Sequence, residues 1–335
     1  MAEVNKAVLI SDLSTQGRLV GNQMRQFIRL ARDQQVMIKM AQALRAEGGK
    51  VLWSTIDYDE PVTIWNMHGS AWPSYGTSSP SFGGQTLTTV SVEAKVELDK
   101  VLLPSQNIEQ DNIEATIVNQ LAKAYGNDLE RAAILADSDG SDPYSGALGA
   151  GMLTAFDGWY EKIRTSGTVY DHQGGKVNAK LFYEMWENLP TKYQTNPEQY
   201  RFFVAPKVGS AWTRYLASVG HSGTEEGWVT NTERGQVAYA AGIELVRVPK
   251  IPVNKAGILS QSSVTQGQYS FVILAQPENL VVAFDPEIEW EIGVESDIRR
   301  KVIWVKAGFV AGILNPEACV VAVNVLPQPD SSVAA

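Results

Sequence analysis

With one cysteine and three histidines among 335 residues, the chain lacks the residue types that build most cross-linked or metal-dependent folds. Cys319 stands alone inside the apolar run Ala318 to Val323, so no disulfide framework exists within the chain. His68, His172 and His221 are scattered without ligand spacing, which excludes a recognisable zinc site. No apolar stretch approaches the roughly 18 residues of a membrane-crossing helix. Residues 1–20 lack a secretory signal, because Ala7 to Ile10 is far too short for its apolar core. A soluble protein made and used in a cytoplasm is expected, with no membrane partner, no metal and no cofactor.

Convincing catalytic motifs are missing too. Asp137-Ser138-Asp139-Gly140 carries its glycine fourth, whereas a calcium loop needs it sixth, so a helix-ending turn explains it better. Gly146, Gly149 and Gly151 follow a turn rather than a strand and have the wrong spacing for a dinucleotide fingerprint. Gly220-His221-Ser222-Gly223 misses the Gly-x-Ser-x-Gly pattern of a nucleophile elbow. There is no Walker element, RNA-recognition signature or helix-turn-helix. The chain is expected not to be an enzyme; a soluble hydrolase using Ser222 and His221 is the remote alternative.

The most informative absence is local. From Pro61 through Val92 there is no Asp, Glu, Lys or Arg. Val62 to Trp65 and Thr86 to Leu98 read as strand arms, with Val90, Val92, Ala94, Val96 and Leu98 alternating with polar residues. Between them, Gly69 to Gly84 is rich in Gly, Ser and Pro and carries Trp72, Tyr75 and Phe82. A lone hairpin is marginal in water, and a structureless loop of this length is unusual inside a compact domain. Interface cores lose charge and gain aromatics, so Trp65, Trp72, Tyr75 and Phe82 are expected to bury on a partner.

Charge elsewhere is uneven. The net −9 divides into +4 over residues 1–50 and −13 over the rest. An acidic body does not attract a polyanion in general, whereas a basic leader can meet one locally. Arg18, Arg25, Arg29 and Arg32 are candidates for contact with DNA, a scaffold or a neighbouring subunit; a solvated helix face is the ordinary alternative for each. Three–four spacing predicts a helix from Gln16 to Ala46, stopped by Gly48-Gly49. A longer helix is predicted over about 107–136, with Gly126-Asn127-Asp128 as a point of kinking. Helices at Lys180 to Asn188 and Val208 to Val219 alternate with strands at Phe202 to Val204 and Ile243 to Val248. Ser218 to Glu233 reads as a mobile Gly-rich loop.

The last third turns to strand: Phe271 to Leu274, Leu280 to Phe284, Ile288 to Val294, Val302 to Val305 and Ala318 to Val325. The fold class is α+β. Glu287, Glu289 and Glu291 form an acidic strand edge, expected to pair with Arg299, Arg300 and Lys301 between or within subunits.

In order and spacing these pieces resemble the major capsid proteins of tailed phages with the Hong Kong 97-like fold. The likeness is carried by "NIEQDNIEATIVNQLAKAYGNDLERAAILAD", "DSDGSDPYSGALGAG", "RFFVAPKVGSAWTRYLASVG" and "EIEWEIGVESDIRRKVIWVKAGFVAGILNPEACVVAV". The resemblance implies an N-terminal arm and basic helix over 1–50 and an extended hairpin loop over 51–98. It further implies a peripheral domain from 99–165 and 268–313, an axial domain from 166–267 and 314–327, and a tail over 328–335. The implied function is self-assembly through pentamers and hexamers into an icosahedral shell around double-stranded DNA bound without sequence specificity. Implied partners are copies of the chain and scaffolding, portal and decoration proteins, with the shell assembled in the host cytoplasm and residing in the virion. An encapsulin-like nanocompartment is the alternative within the same fold.

One departure is testable. Some members of this family crosslink a lysine of the extended loop to a neighbour, but no lysine lies between Glu60 and Lys95. Assembled particles boiled in denaturant are therefore expected to release intact single subunits on a gel; a ladder of covalent oligomers would contradict this.

Overall fold

The computed structural model describes residues 29, 31–32, 35–57, 81–99, 113–139, 153–219, 228–231, 235–253, 269–285, 289–295 and 300–330. Helix α1 (Met37–Met40) buries Met37 and Ile38 and ends at Ala41, whose backbone is already extended. Strand β1 (Gln42–Arg45) follows. The helix expected to run to Ala46 is corrected here. Ile38, Ala41 and Leu44 fit a helical stripe, yet residues 42–45 pair parallel with 281–284, and Ala46 N–H continues that ladder to Phe284 O. Burial of Ala41 and Ala46 from extended chain, with sheet hydrogen bonds, outweighs the local periodicity.

The hairpin is also relocated. Its arms are β2 (Lys50–Asp57) and β3 (Ser81–Thr88), antiparallel from Lys50↔Thr88 to Asp57↔Ser81. The expected arm at Val62 to Trp65 lies outside the described residues. After Thr89 the chain leaves the hairpin, and β4 (Val90–Asp99) joins a larger sheet. The period-two pattern runs on through this change of partner, which is why one continuous arm was expected.

Helix α2 (Ile113–Leu135) runs unbroken through Gly126-Asn127-Asp128. A Cβ on Gly126 would lie 2.3 Å from Ala31 O and 2.9 Å from Gln35 Nε2, so the glycine admits a close crossing rather than a kink. Beyond a turn at Ser138-Asp139 come α3 (Trp159–Ser166), β5 (Thr168–Asp171), β6 (Lys176–Val177), α4 (Ala179–Glu187), β7 (Arg201–Val204) and α5 (Pro206–Val219). Then follow β8 (Trp228–Asn231), β9 (Gly235–Ala240), β10 (Ile243–Arg247), β11 (Ser270–Ala275), β12 (Leu280–Phe284), β13 (Glu289–Glu295), β14 (Arg300–Ile313) and β15 (Val320–Pro329). Part of the loop expected over Ser218 to Glu233 is therefore strand, since β8 pairs with β9.

Two sheets organise these strands. In the five-stranded sheet β1, β12, β14 and β13 run in that order, and β4 pairs with β14. The 14-residue β14 is its axis: its first half lies between β13 and β4, and its end pairs with β12. The eight-stranded sheet has the order β5-β15-β11-β7-β10-β9-β8, with β6 also on β15. Its central strands are near-continuous apolar runs because both faces are covered. Phe182 of α4 packs edge-on against Phe202 and Trp212 of α5, while Tyr160 of α3 packs on Phe271. By hydrogen bonding β11 belongs to this second sheet. The chain changes sheets at Pro277–Asn279.

In an ordinary helix interior, Gly126→Ala would gain about 1 kcal/mol. Here the added methyl meets a backbone carbonyl, and a net loss of about 1–3 kcal/mol is expected from overpacking. Urea unfolding of the variant reads the sign; a gain would show that α1 and its preceding turn stand further from α2.

Candidate assembly surfaces

The residues singled out from the sequence fall into four groups. Trp65, Trp72, Tyr75, Glu287, Arg299, Arg18 and Arg25 lie outside the described residues. Phe82 is on β3, opposite Ile56. Strand alternation puts positions 52, 56 and 82 on one face of the hairpin, and Leu52 is 83% exposed. On the other face, Val51 and Leu87 are buried against the body. At its base, then, the hairpin buries Val51 and Leu87 and exposes Leu52. Leu52 escaped the sequence reading because its neighbours Val51 and Trp53 make it look like any core strand residue.

Within the chain, the backbone register sets the described members of the acidic and basic groups, Glu289, Glu291, Arg300 and Lys301, as follows. Arg300 stands between Glu295 and Asp99, Lys301 between Val294 and Leu98, and Glu291 opposite Trp304. Glu289 and Glu93 flank Lys306. The register thus sets Arg300 and Lys306 each between two acidic positions, and Lys301 between two apolar ones.

Arg29 is exposed, but Arg32 serves its own subunit. Its guanidinium donates to Ile38 O (3.4 Å), Lys39 O (3.3 Å) and Ala41 O (3.1 Å), the carbonyl end of α1. The opposite end of α1 is held by Glu130 of α2, whose Oε1 accepts from Val36 N–H (2.8 Å) and Met37 N–H (2.7 Å). Gln35 completes the contact, its amide donating to Glu130 Oε2 (3.0 Å) and accepting from Asn127 N–H (3.2 Å). Burial raises the Glu130 carboxyl above its ordinary value, opposed by the N–H groups of Met37, Val36 and Ile38 and by Lys250. So α1 is held at both ends, by the local Arg32 at one and at the other by Glu130, which lies 93 and 94 residues from its partners and could not be read from the sequence.

A third feature is internal. The turn Pro277–Asn279 carries the chain from β11 to β12, and Pro316–Ala318 carries it from β14 to β15. Asn279 Nδ2 donates to Asn315 O (2.7 Å) and to Cys319 Sγ (3.1 Å), while Asn279 Oδ1 accepts from Asn315 N–H (2.8 Å). Leu314 N–H donates to Asn279 O (3.0 Å), and Asn315 Nδ2 to Tyr193 Oη (2.5 Å). Burial pushes the Cys319 thiol up to about 12, so this cysteine is an inert wall of the junction. Among the described residues no His/Cys/Asp/Glu cluster is arranged to hold a metal ion.

This architecture matches solved shells along nearly its whole length. A chain of the satellite phage P4 procapsid, which includes the size determination (Sid) protein, superposes with a TM-score of 0.60 at 12% identity, covering 90% of this chain and 99% of that one. The capsid of the native GTA particle gives 0.53 at 12% identity, over 88% and 90%. The holo-SrpI encapsulin complex of Synechococcus elongatus PCC 7942 gives 0.55 at 10% identity, over 95% of each. The chain has the Hong Kong 97-like capsid fold of tailed phages. In sequence it is similar to YqbE of Bacillus subtilis (strain 168), assigned as a prophage capsid protein, with 24% identity over 306 residues and 89% of each chain covered. No protein-family model matches. Fold and relative together support a capsid shell protein.

Glu130→Ala, which strands two buried N–H groups, is expected to cost about 1–3 kcal/mol. Glu130→Gln tests the charge. The folded state holds the Glu130 proton more tightly than the unfolded chain, so ionising the group costs the fold. Wild type should lose stability relative to Glu130→Gln as pH rises from the ordinary glutamate range through the raised folded value, and the difference should be flat below it. Urea midpoints across pH read this; a difference that grows in wild type's favour on raising pH would reverse the assignment.

Proposed function

We propose that this chain is a major capsid protein, self-assembling through pentamers and hexamers into an icosahedral shell that encloses double-stranded DNA. The observation that carries the reading is a two-sheet body matched along its length by capsid chains, bearing a hairpin with Leu52 open on its free face. A closed shell needs heterologous contacts that repeat around symmetry axes, and each can be weak because many act at once. Leu52 and Phe82 meet a neighbouring copy, and Trp65, Trp72 and Tyr75, between the hairpin arms, add the aromatic area. In this reading the five-stranded sheet with α2 is the peripheral domain and the eight-stranded sheet the axial domain. The acidic body lets packed DNA slide and leave without sequence-specific contact. Arg18, Arg25 and Arg29 face a scaffold, DNA or a neighbour during assembly in the host cytoplasm, and portal and decoration proteins complete the virion.

The encapsulin match supports a second reading, a nanocompartment around a protein cargo. The YqbE relationship favours the phage reading.

Electron microscopy of the purified protein is expected to show hollow icosahedral particles; a discrete small oligomer under all assembly conditions would sink both shell readings. The contents of particles from the native source separate the two, nucleic acid supporting a virion and a protein cargo a compartment. Deleting Gly69 to Gly84 should leave soluble pentamers, hexamers or monomers, and normal closed particles would remove the role given to the arm.

A further inference from the structure

We infer that Asn279, with Asn315 and Tyr193, is a positioning residue for shell closure, setting the angle between the two sheets and so the curvature at which subunits meet. This rests on the shell reading above. Past α2 the chain passes between the sheets at three places: from α3 into β5, from β11 into β12, and from β14 into β15. All three passes touch. Gly167, where α3 ends, leaves no room for a side chain, since a Cβ there would lie 2.8 Å from Pro316 O. Thr168 N–H, opening β5, donates to Cys319 O (3.2 Å). The other two passes are joined by the reciprocal Asn279–Asn315 bonds.

Helix α3 spans the same place. Its Trp159 Nε1 donates to Gly312 O (2.9 Å) and Val281 O (3.3 Å) of the five-stranded sheet, and Lys162 Nζ donates to Ala311 O (2.9 Å). Its Tyr160 ring lies 4.3 Å from that of Phe271 in the eight-stranded sheet.

Apolar packing between the sheets is non-directional and tolerates small rotations. The amide of Asn279 does not. It is 6% exposed, and its donor and acceptor are both directed at the backbone of the other crossing, so a rotation of one sheet on the other breaks a buried hydrogen bond. Tyr193 extends the restraint, because its hydroxyl takes the remaining Asn315 donor while its neighbour Lys192 bridges to Glu317 at 3.1 Å. A subunit that repeats around symmetry axes multiplies any angular error, so such a restraint acts on particle size before it acts on folding.

The test compares full-length wild type with Asn279→Ala, Asn279→Asp, Tyr193→Phe and Ile273→Val, the last a core change within one sheet. Melting temperature and the diameter distribution of assembled particles are measured for each. Wild type should close at a single diameter; failure to form any particle would refute the shell reading itself rather than this inference. Asn279→Ala and Asn279→Asp, which lacks the amide donor, should give folded subunits that assemble into more than one size class or into open sheets. Ile273→Val should keep the wild-type diameter despite its lower melting temperature. Wild-type diameters from both Asn279 variants overturn the inference, as does equal broadening from Ile273→Val, which would make the effect one of stability alone. Should the Asn279 variants fail to fold, Tyr193→Phe decides: a broadened distribution supports the inference and a wild-type one overturns it.

Discussion

Everything in this subunit depends on how a chain that belongs to two sheets gets from one to the other. Strands β12, β13 and β14 are interposed in sequence between β11 and β15, which pair side by side in the eight-stranded sheet. The five-stranded sheet is thus largely an excursion out of the eight-stranded one, leaving at Pro277 and returning at Pro316. Leaving and returning must happen at one place, since β11 and β15 are neighbours. Two short turns, each beginning Pro-Glu, bring backbone groups into the interior where neither ladder can satisfy them. Asn279 answers for them, accepting from one residue of the opposite turn and donating to its carbonyl.

The same economy of directional bonds appears at α1. Four helical residues hold little stability of their own. They persist because Glu130 takes the free N–H groups at one end and Arg32 the free carbonyls at the other. Gly126 then lets the turn before α1 approach α2 with backbone against backbone. Among the described residues, the segment leading into the first sheet is joined to the long helix by these polar contacts and a close approach at Gly126, beside the buried Met37 and Ile38. Such an attachment can be specific without being massive.

Much of this was legible, and the gaps have physical causes. The long helix, the acidic alternation of β13 and the buried runs of β11, β12 and β15 follow from periodicity, because each keeps one pattern and one environment along its length. The errors fall where a pattern continues while its environment changes. Leu44 keeps the helical spacing although the chain has already become strand, and Val90 keeps the strand alternation although its partner has changed from β2 to β14. Gly126 looks like a weak point from propensity alone, and its purpose emerges only when Ala31 is found above it. Asn279 and Asn315 look like ordinary turn residues beside proline. Their pairing is a long-range contact with no local trace.

The open side of the molecule follows from these internal arrangements. Both strands flanking β14 carry acidic positions opposite its Arg300 and Lys306, and β4 has β14 as its partner among the described residues. Strand β4 alternates the charged Glu93, Lys95, Glu97 and Asp99 with apolar residues in sequence, and charged residues on a strand disfavour indiscriminate pairing at an edge. The hairpin is different. Its free face carries Leu52 with no charge opposite, at Thr86, and the segment beyond it has no lysine to form a covalent link. Charge thus marks β4, while the hairpin offers an exposed apolar residue at Leu52.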